Sequence, residues 1–244
     1  RYFKILGLKI ATIDKGRSEK KALVRKQNKL FKQLRSTHQR YADVFSELGF
    51  PLEIDRFNKF PRRDLNQKLQ NLAGKSNLKR IGIAPFAAFK SKMYPLEMLE
   101  LVIAELEKNS QYRILLFGGG SNEIQALKGL DKKFSSTVNI AGELSFKEEL
   151  ELISNLDLMV SMDSANGHLA ALFDVPVITL WGVTHPYAGF TPFDQPEANQ
   201  LVASSKEFPL IPTSVYGNKY PEGYEKAIET ITPESIIKKI IGLL

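Results

Sequence analysis

The sequence contains no cysteine among its 244 residues. This absence excludes disulfide bonds, thiolate metal sites and a cysteine nucleophile, and it fits a reducing compartment. Histidine is also scarce, and the three that occur, His38, His168 and His185, are too scattered to suggest a metal site. We therefore predict an activity that uses no metal and no cofactor.

Long hydrophobic runs are missing too, since none approaches the length of a membrane-spanning helix. Several common motifs are absent: there is no P-loop, no G-x-G-x-x-G fingerprint and no G-x-S-x-G elbow for a serine nucleophile. No RRM, KH or helix-turn-helix signature accompanies the basic residues. What remains is a chain with 43% apolar residues, long enough for one large domain or two.

Charge is distributed unevenly along the chain. Residues 1–80 contain 21 Lys and Arg against 7 Asp and Glu, whereas the remainder contains 13 against 20. A basic first third joined to an acidic remainder suggests two units with different partners. The basic unit could face the phosphates of a lipid, a sugar, a nucleic acid or a membrane surface. Alternatively, the basic residues form only the solvated, lysine-rich face of a helix and bind no partner.

The first 78 residues have a weak pattern of secondary structure. Residues 4–13 indicate one strand, and residues 20–34 and 37–48 indicate two helices, the second ending at Gly49. Residues 50–63 are typical of a linker or hinge, and a short helix over residues 64–72 closes at Gly74. One strand is not a sheet. This part is therefore either an appendage or, as we favour, the tail of a larger domain.

From residue 79 onward, short apolar strands alternate with helices. The predicted strands cover residues 80–84, 112–117, 138–140, 158–160, 176–180 and 200–203. The predicted helices cover residues 95–108, 122–134, 146–155, 165–173, 221–231 and 233–243. This alternation predicts an α/β fold with a Rossmann-like parallel sheet covered on both faces.

Four polar sets follow these strands, at the ends where such sheets bind ligands. They are Pro85 to Tyr94, with Lys90 and Lys92 just before a helix; Gly118, Gly119, Gly120 and Glu123; Asp163 to His168; and Gly182 to Pro186. The helix that starts after Asp163 offers backbone N–H groups suited to a diphosphate. Each residue also has a plainer interpretation: Lys92 as a surface lysine, Glu123 as a first-turn acid, Asp163 as an N-cap and His168 as a packed side chain.

In combination, these segments resemble glycosyltransferase family 9, the ADP-heptose:lipopolysaccharide heptosyltransferases. The matching elements are Lys92 to Pro95, the Gly118–Gly119 loop with Glu123, Ser161 to Ser164 followed by His168 to Ala170, and Trp181 to Pro186. The family's most specific motif is Asp-[Ser/Thr]-Gly-x-x-His, and here Ala165 occupies its glycine position.

The resemblance implies a GT-B fold, in which two Rossmann-like domains enclose the active site. Residues 1–60 would be the C-terminal portion of the acceptor-side domain with the hinge, and residues 61–232 the donor-binding domain. Residues 233–244 would form a C-terminal helix that packs back toward the N-terminal domain. The family's glycine-rich loop and early aspartate base match nothing here, so we expect the catalytic base before Arg1.

The resemblance also implies roles for individual residues. Lys92 would contact the donor phosphates, Glu123 the nucleoside beside the Gly118–Gly120 loop, and Asp163 would lie near the transferred sugar. The diphosphate would be held by Ser164, Ala165, Asn166, Gly167 and His168, and Thr184 would line the same pocket. Lys15 and Arg17 would bind the acceptor.

The function so implied is transfer of a heptose-type sugar from a nucleotide-diphosphate donor to a lipopolysaccharide core acceptor. The partners would be an ADP-heptose-like donor, a phosphorylated glycolipid and an anionic membrane surface, with no nucleic acid, at the cytoplasmic side. The alternatives are a GT-B nucleotide-sugar epimerase, a non-catalytic nucleotide-sugar-binding homologue and, less in keeping with the motifs, a basic nucleic-acid-binding module.

Overall fold

A computed structural model of the protein describes residues 7–54 and 59–244. Its strands are β1 (Lys79–Ala84), β2 (Tyr112–Leu116), β3 (Thr137–Asn139), β4 (Leu158–Met162), β5 (Val177–Trp181) and β6 (Gln200–Val202). They form one six-stranded sheet in the order β3-β2-β1-β4-β5-β6, with every pairing parallel. This is the strand order of a Rossmann fold, and it confirms the predicted fold class.

The α-helices of the described residues flank this sheet or precede it. They are α1 (Arg17–Leu23), α2 (Thr37–Leu48), α3 (Gln67–Ala73), α4 (Leu96–Glu107), α5 (Ser121–Asp131), α6 (Phe146–Ile153), α7 (Ala165–Leu172) and α8 (Pro233–Ile241). No helix among the described residues is long and apolar enough to cross a membrane.

Two hydrophobic cores cover the two faces of the sheet. Successive residues of a strand point to opposite faces, so Leu158 and Val160 enter one core while Met159 enters the other. The first core is closed by α4, α5 and α8, and the second by α3, α6 and α7. Because both faces are covered, β4 and β5 are buried along their whole length.

Helix α8 buries Ile236 and Ile240 in the first core, against α4. The hydroxyl of Tyr94 donates to the carbonyl of Ile231 at 2.7 Å, just before this helix. Packing of α8 toward the N-terminal domain, and the domain limits at residues 60 and 232, stay predictions.

The predicted helix over residues 221–231 differs in type, since Tyr224–Thr230 forms 3₁₀ turns. Only Ala227 and Ile228 are buried in this stretch. Tyr224, Ala227, Ile228 and Ile231 nevertheless have helical spacing and pack into the hydrophobic clusters, so the segment differs in its type of turn and not in its apolar pattern.

The predictions for the start of the chain are partly wrong. Residues 7–13 form no strand, because the described part of the chain offers them no neighbouring strand, and residues 4–6 lie outside it. The predicted helix over residues 20–34 ends at Leu23. Asn28 adopts a left-handed φ of 50°, and the N–H of Leu30 donates back to the carbonyl of Ala22, so the chain reverses there.

Helix α2 is confirmed with the predicted bounds. The hydroxyl of Ser36 accepts from the N–H of Gln39 at its start, and Gly49 ends it with a φ of 98°. Such a left-handed residue is the common helix stop that glycine provides.

The segment that contains α1 and α2 is packed on the loop that follows β5. The N–H groups of Leu34 and Thr37 donate to the carbonyls of Tyr187 and Gly189, each at 2.9 Å. Leu23 and Leu34 are buried together with Ala188 from that loop. These contacts attach the basic first third to the sheet next to the carboxyl end of β5.

Gly182, directly after β5, allows us to test how closely this end of the sheet packs against the segment that follows β1. A methyl group there would overlap the backbone oxygen of Ser91, so we expect Gly182→Ala to lower the free energy of unfolding by about 1–3 kcal/mol. Gly129 in α5 is the matched control, because a methyl group there has nothing within 4 Å. Gly129→Ala should raise the free energy of unfolding by up to about 1 kcal/mol. Urea denaturation measures the free energy of unfolding of both variants. Equal changes in the two variants would contradict the close approach at Gly182.

Candidate functional site

A polar cavity lies at the carboxyl ends of β1, β2 and β4, where the strand order reverses. Its volume is about 300 Å³, and we call it the switch-point cavity. Its lining residues are Ala84, Phe86, Ala87, Phe117, Gly118, Gly119, Glu123, Glu149, Ser164, Ala165 and Asn166. Open α/β sheets bind ligands at this position. Six residues that we predicted, three from the set after β2 and three from the set after β4, are thus brought together around one space.

The loop after β2 forms one side of this cavity. The N–H of Gly119 donates to Oε2 of Glu123 at 2.8 Å, so the side chain of the first helical turn closes the glycine loop. The interpretation of Glu123 as a first-turn acid therefore holds, and the same residue also lines the cavity. Its second carboxylate oxygen has capacity to accept from a ligand hydroxyl.

The start of α7 forms the opposite side. Ser164 is the N-cap residue, but no side chain caps the helix. Its hydroxyl lies instead 3.1 Å from the hydroxyl of Ser161. The first N–H groups of α7 therefore have no side-chain acceptor, and this is the arrangement that suits a bound anion.

Lys92 and Asp163 form a buried ion pair beside the start of α7. The Lys92 ammonium donates to the carbonyl oxygen of Asp163 at 2.7 Å and to its Oδ2 at 3.2 Å. Each of the two side chains is only 10% exposed. The interpretation of Lys92 as a surface lysine is therefore wrong. Two of its three ammonium protons are used by Asp163, and one remains.

The loop around Gly217 packs against the aliphatic part of the Lys92 side chain. A methyl group at Gly217 would lie 2.7 Å from Cγ of Lys92, so only glycine leaves room for the lysine stem. The neighbouring Ser91 hydroxyl donates to the carbonyl of Gly217 at 2.5 Å. The position of the ammonium group is therefore fixed by packing as well as by charge.

Gly167 within α7 was expected to mark a close approach. A methyl group there would lie 3.3 Å from Pro192, Ser161 and Val177. The close neighbours are therefore protein side chains, and the glycine lets α7 pack tightly on the sheet. Gly120 does not line the switch-point cavity but is the N-cap of α5, with a φ of 83°.

His168 lines a second cavity, on the other side of α7. This apolar cavity of about 440 Å³ lies between α2 and α7, and His38, Tyr41, Phe45, Leu169 and Phe193 are among its lining residues. The ring centroids of His38 and His168 are 6.3 Å apart. Burial, the neighbouring His38 and Lys92 lower the pKa of His168, while Asp163 acts in the opposite direction. Its role at the diphosphate stays a prediction.

Thr184 and His185 are both buried after β5. The Thr184 hydroxyl has no hydrogen-bond partner among the described residues. Nδ1 of His185 accepts from the N–H of Tyr187 at 3.1 Å, and burial together with the charge of Lys29 lowers the His185 pKa to about 4. Neither residue lines the switch-point cavity, so the expected role of Thr184 at the donor stays a prediction.

Lys15 and Arg17, the predicted acceptor residues, are exposed at the start of α1. Between them, Gly16 packs against the guanidinium group of Arg40. Arg40 is buried and pairs with Glu19 at 2.6 Å and with Asp14 at 3.3 Å. The two exposed cations are therefore presented by a small, internally bonded turn.

Sequence reasoning did not single out Phe117 and Glu149, which also line the switch-point cavity, and it included Phe86 only as part of the set Pro85 to Tyr94. The available signal for Glu149 was that Ser145 and Glu148 already complete the capping of α6, so that Glu149 is only a second acid in the first turn. Among the described residues, no group of three or more His, Asp or Glu side chains is placed to hold a metal ion.

Comparison with known proteins identifies sequences and structures similar to this chain. The sequence model of glycosyltransferase family 9 (heptosyltransferase) matches residues 7–222. The lipooligosaccharide heptosyltransferase 2 of Haemophilus influenzae is 31% identical over 171 residues, which cover 67% of this chain and 47% of that relative. The chain spans about half the length of the curated relatives it matches.

Solved structures show the same fold. A family 9 glycosyltransferase of Veillonella parvula superposes with a TM-score of 0.64 at 18% identity, covering 86% of this chain and 60% of that one. The E. coli heptosyltransferase WaaC with ADP superposes with a TM-score of 0.59 at 19% identity, covering 87% and 58%.

The buried state of His185 predicts a dependence of stability on pH. Its pKa is about 4 in the folded chain and 6.5 when unperturbed, so between these values the unfolded chain takes up a proton that the folded chain does not. Stability is therefore lost as the pH falls through this window, by about 2 kcal/mol between pH 7 and pH 5 for this residue alone. Urea denaturation at pH 7 and pH 5 measures the free energy of unfolding, and its change between the two pH values should be smaller in His185→Gln than in the wild type. An equal change in both proteins would contradict the assignment to His185.

Proposed function

This chain belongs to glycosyltransferase family 9, and we propose that it takes part in transfer of a heptose-type sugar from an ADP-heptose-like donor to a lipopolysaccharide core acceptor. The observation that carries the proposal is the switch-point cavity, which combines an uncapped helix start with aromatic side chains, and beside which the ion pair with Asp163 fixes Lys92. We propose residues 61–232 as the donor-binding domain. The E. coli structural relative, described with ADP, supports an adenine nucleotide.

The charges of the site suggest how the donor lies. The diphosphate would sit at the start of α7 and beside Lys92, where N–H groups and one ammonium proton are available. The nucleoside would lie between Phe86 and Phe117, with its ribose hydroxyls at Glu123. Asp163, bonded to Lys92, would lie next to the sugar.

The same groups suit the chemistry of the proposed transfer. An acceptor hydroxyl would attack the anomeric carbon while the bond to the diphosphate breaks, and negative charge would grow on the leaving diphosphate. Lys92 and the α7 N–H groups are already in place to stabilise that charge. A general base must take the acceptor proton, and we assign it to no residue of this chain.

The acceptor would approach from the basic side of the molecule. Lys15 and Arg17 are exposed there together with other cations, namely Lys21, Arg25 and Lys26. Such a group attracts phosphorylated glycolipids and anionic membrane surfaces. We therefore propose a peripheral location at the cytoplasmic face of the membrane.

Replacement of Lys92 tests the donor site. We expect Lys92→Ala to weaken ADP binding about 10- to 100-fold, because a charged hydrogen bond to a phosphate is lost. Isothermal titration calorimetry measures the change, and circular dichroism checks that the chain still folds. Lys90→Ala is the matched control, since Lys90 is exposed in the same 3₁₀ turn and should leave the affinity unchanged. Equal affinities of the two variants would remove Lys92 from the phosphate site.

Product analysis tests the reaction itself. The full-length protein, which has to supply the general base, is incubated with ADP-heptose and a heptose-deficient lipopolysaccharide, and mass spectrometry should show the added heptose. We expect Asp163→Asn to reduce the rate at least about tenfold, because the neutral amide no longer holds Lys92 as an ion pair. An altered nucleotide sugar formed without acceptor would instead indicate an epimerase, and donor binding without any product would indicate a binding homologue.

A further inference from the structure

Glu149 projects into the switch-point cavity, although its own helix does not need it. At the start of α6, the hydroxyl of Ser145 accepts from the N–H of Glu148, and the N–H of Ser145 donates to Glu148 Oε2 at 2.8 Å. Lys68 binds the other carboxylate oxygen of Glu148 at 2.9 Å. The capping and ion pairing of this turn are therefore complete without Glu149.

The Glu149 carboxylate has no hydrogen-bond or ion-pair partner among the described residues. It is half-buried, and burial raises its pKa. A carboxylate that is partly removed from water without a partner is unfavourable unless a ligand supplies the missing donor. Glu149 therefore has the properties of a residue whose partner arrives with the ligand.

Charge and polarity indicate which part of a nucleotide supplies the hydrogen-bond donor for Glu149. A diphosphate is repelled by Glu149 and is attracted to Lys92 and the start of α7, so an uncharged part of the donor faces the carboxylate. Since the proposed function places the sugar next to Asp163, this part is the nucleoside. Glu123 lies beside Gly119, which is exposed, and so suits the hydrated ribose. The flat base suits the aromatic side chains of Phe86 and Phe117, which line the cavity. Glu149 lines the same cavity, and its carboxylate offers only hydrogen-bond acceptors.

We propose that Glu149 determines base specificity by accepting a hydrogen bond from the exocyclic amino group of an adenine-type base. This inference rests on the proposed function, because it places a nucleoside diphosphate in the switch-point cavity. A base with a carbonyl oxygen at that position meets a second acceptor and is disfavoured. A base with nothing there leaves the carboxylate unpaired.

Paired nucleotides test the proposal by calorimetry. ADP is compared with purine riboside 5′-diphosphate, which has the same ring and phosphates but lacks the amino group. We expect the wild-type protein to bind ADP at least about tenfold more tightly. Glu149→Gln, which keeps the shape and one acceptor, should reduce this ratio, and Glu149→Leu should bring it close to one. Glu143→Gln, an exposed acid just before α6, should leave the ratio unchanged.

The possible outcomes separate this inference from the function on which it rests. If the wild-type protein binds neither nucleotide, the proposed donor site fails and the inference fails with it. If it binds ADP but the ratio is the same in both Glu149 variants, only the role of Glu149 is overturned. A comparison of ADP with 2′-deoxy-ADP completes the test. If the Glu149 variants change only the ratio of these two affinities, Glu149 contacts the ribose and base recognition is overturned.

Discussion

The reversal of strand order between β1 and β4 is the constraint on which the candidate site depends. After β1 the chain continues into α4 on one face of the sheet, and after β4 it continues into α7 on the other. The loops after the two strands therefore diverge and leave a space between them. Lys92 and Asp163, which are 71 residues apart in sequence, meet beside this space only because their strands are neighbours.

Close packing around Lys92 limits how the site can move. Gly217 lies against its stem, and Gly182 lies against the backbone of the preceding Ser91. A lysine side chain normally loses much rotational freedom when it binds a ligand. Here the fold has already removed that freedom, so the proposed diphosphate would meet an ammonium group that is fixed in place. The site is therefore preorganised on the side where the proposed leaving group lies.

Most of the sheet and much of the site could be predicted from the sequence, and the failures have physical causes. Apolar strands that alternate with capped helices identify a parallel sheet, and polar residues at their ends meet at one edge. The expected strand is absent over residues 7–13, the described part of the range, because its pattern carries no information about a partner strand. The pairing of Lys92 with Asp163, and the projection of Glu149 into the cavity, depend on distances between distant segments that local patterns do not contain.

Helix α7 connects the two cavities and gives the first third of the chain a structural link to the site. Ser164, Ala165 and Asn166 line the switch-point cavity, whereas His168, Leu169 and Leu172 line the apolar cavity against α2. The glycine within α7 lets it pack against Ser161, Val177 and Pro192, so the helix cannot shift without disturbing the sheet. A group that fills the apolar cavity would therefore contact the same helix whose start faces the proposed diphosphate.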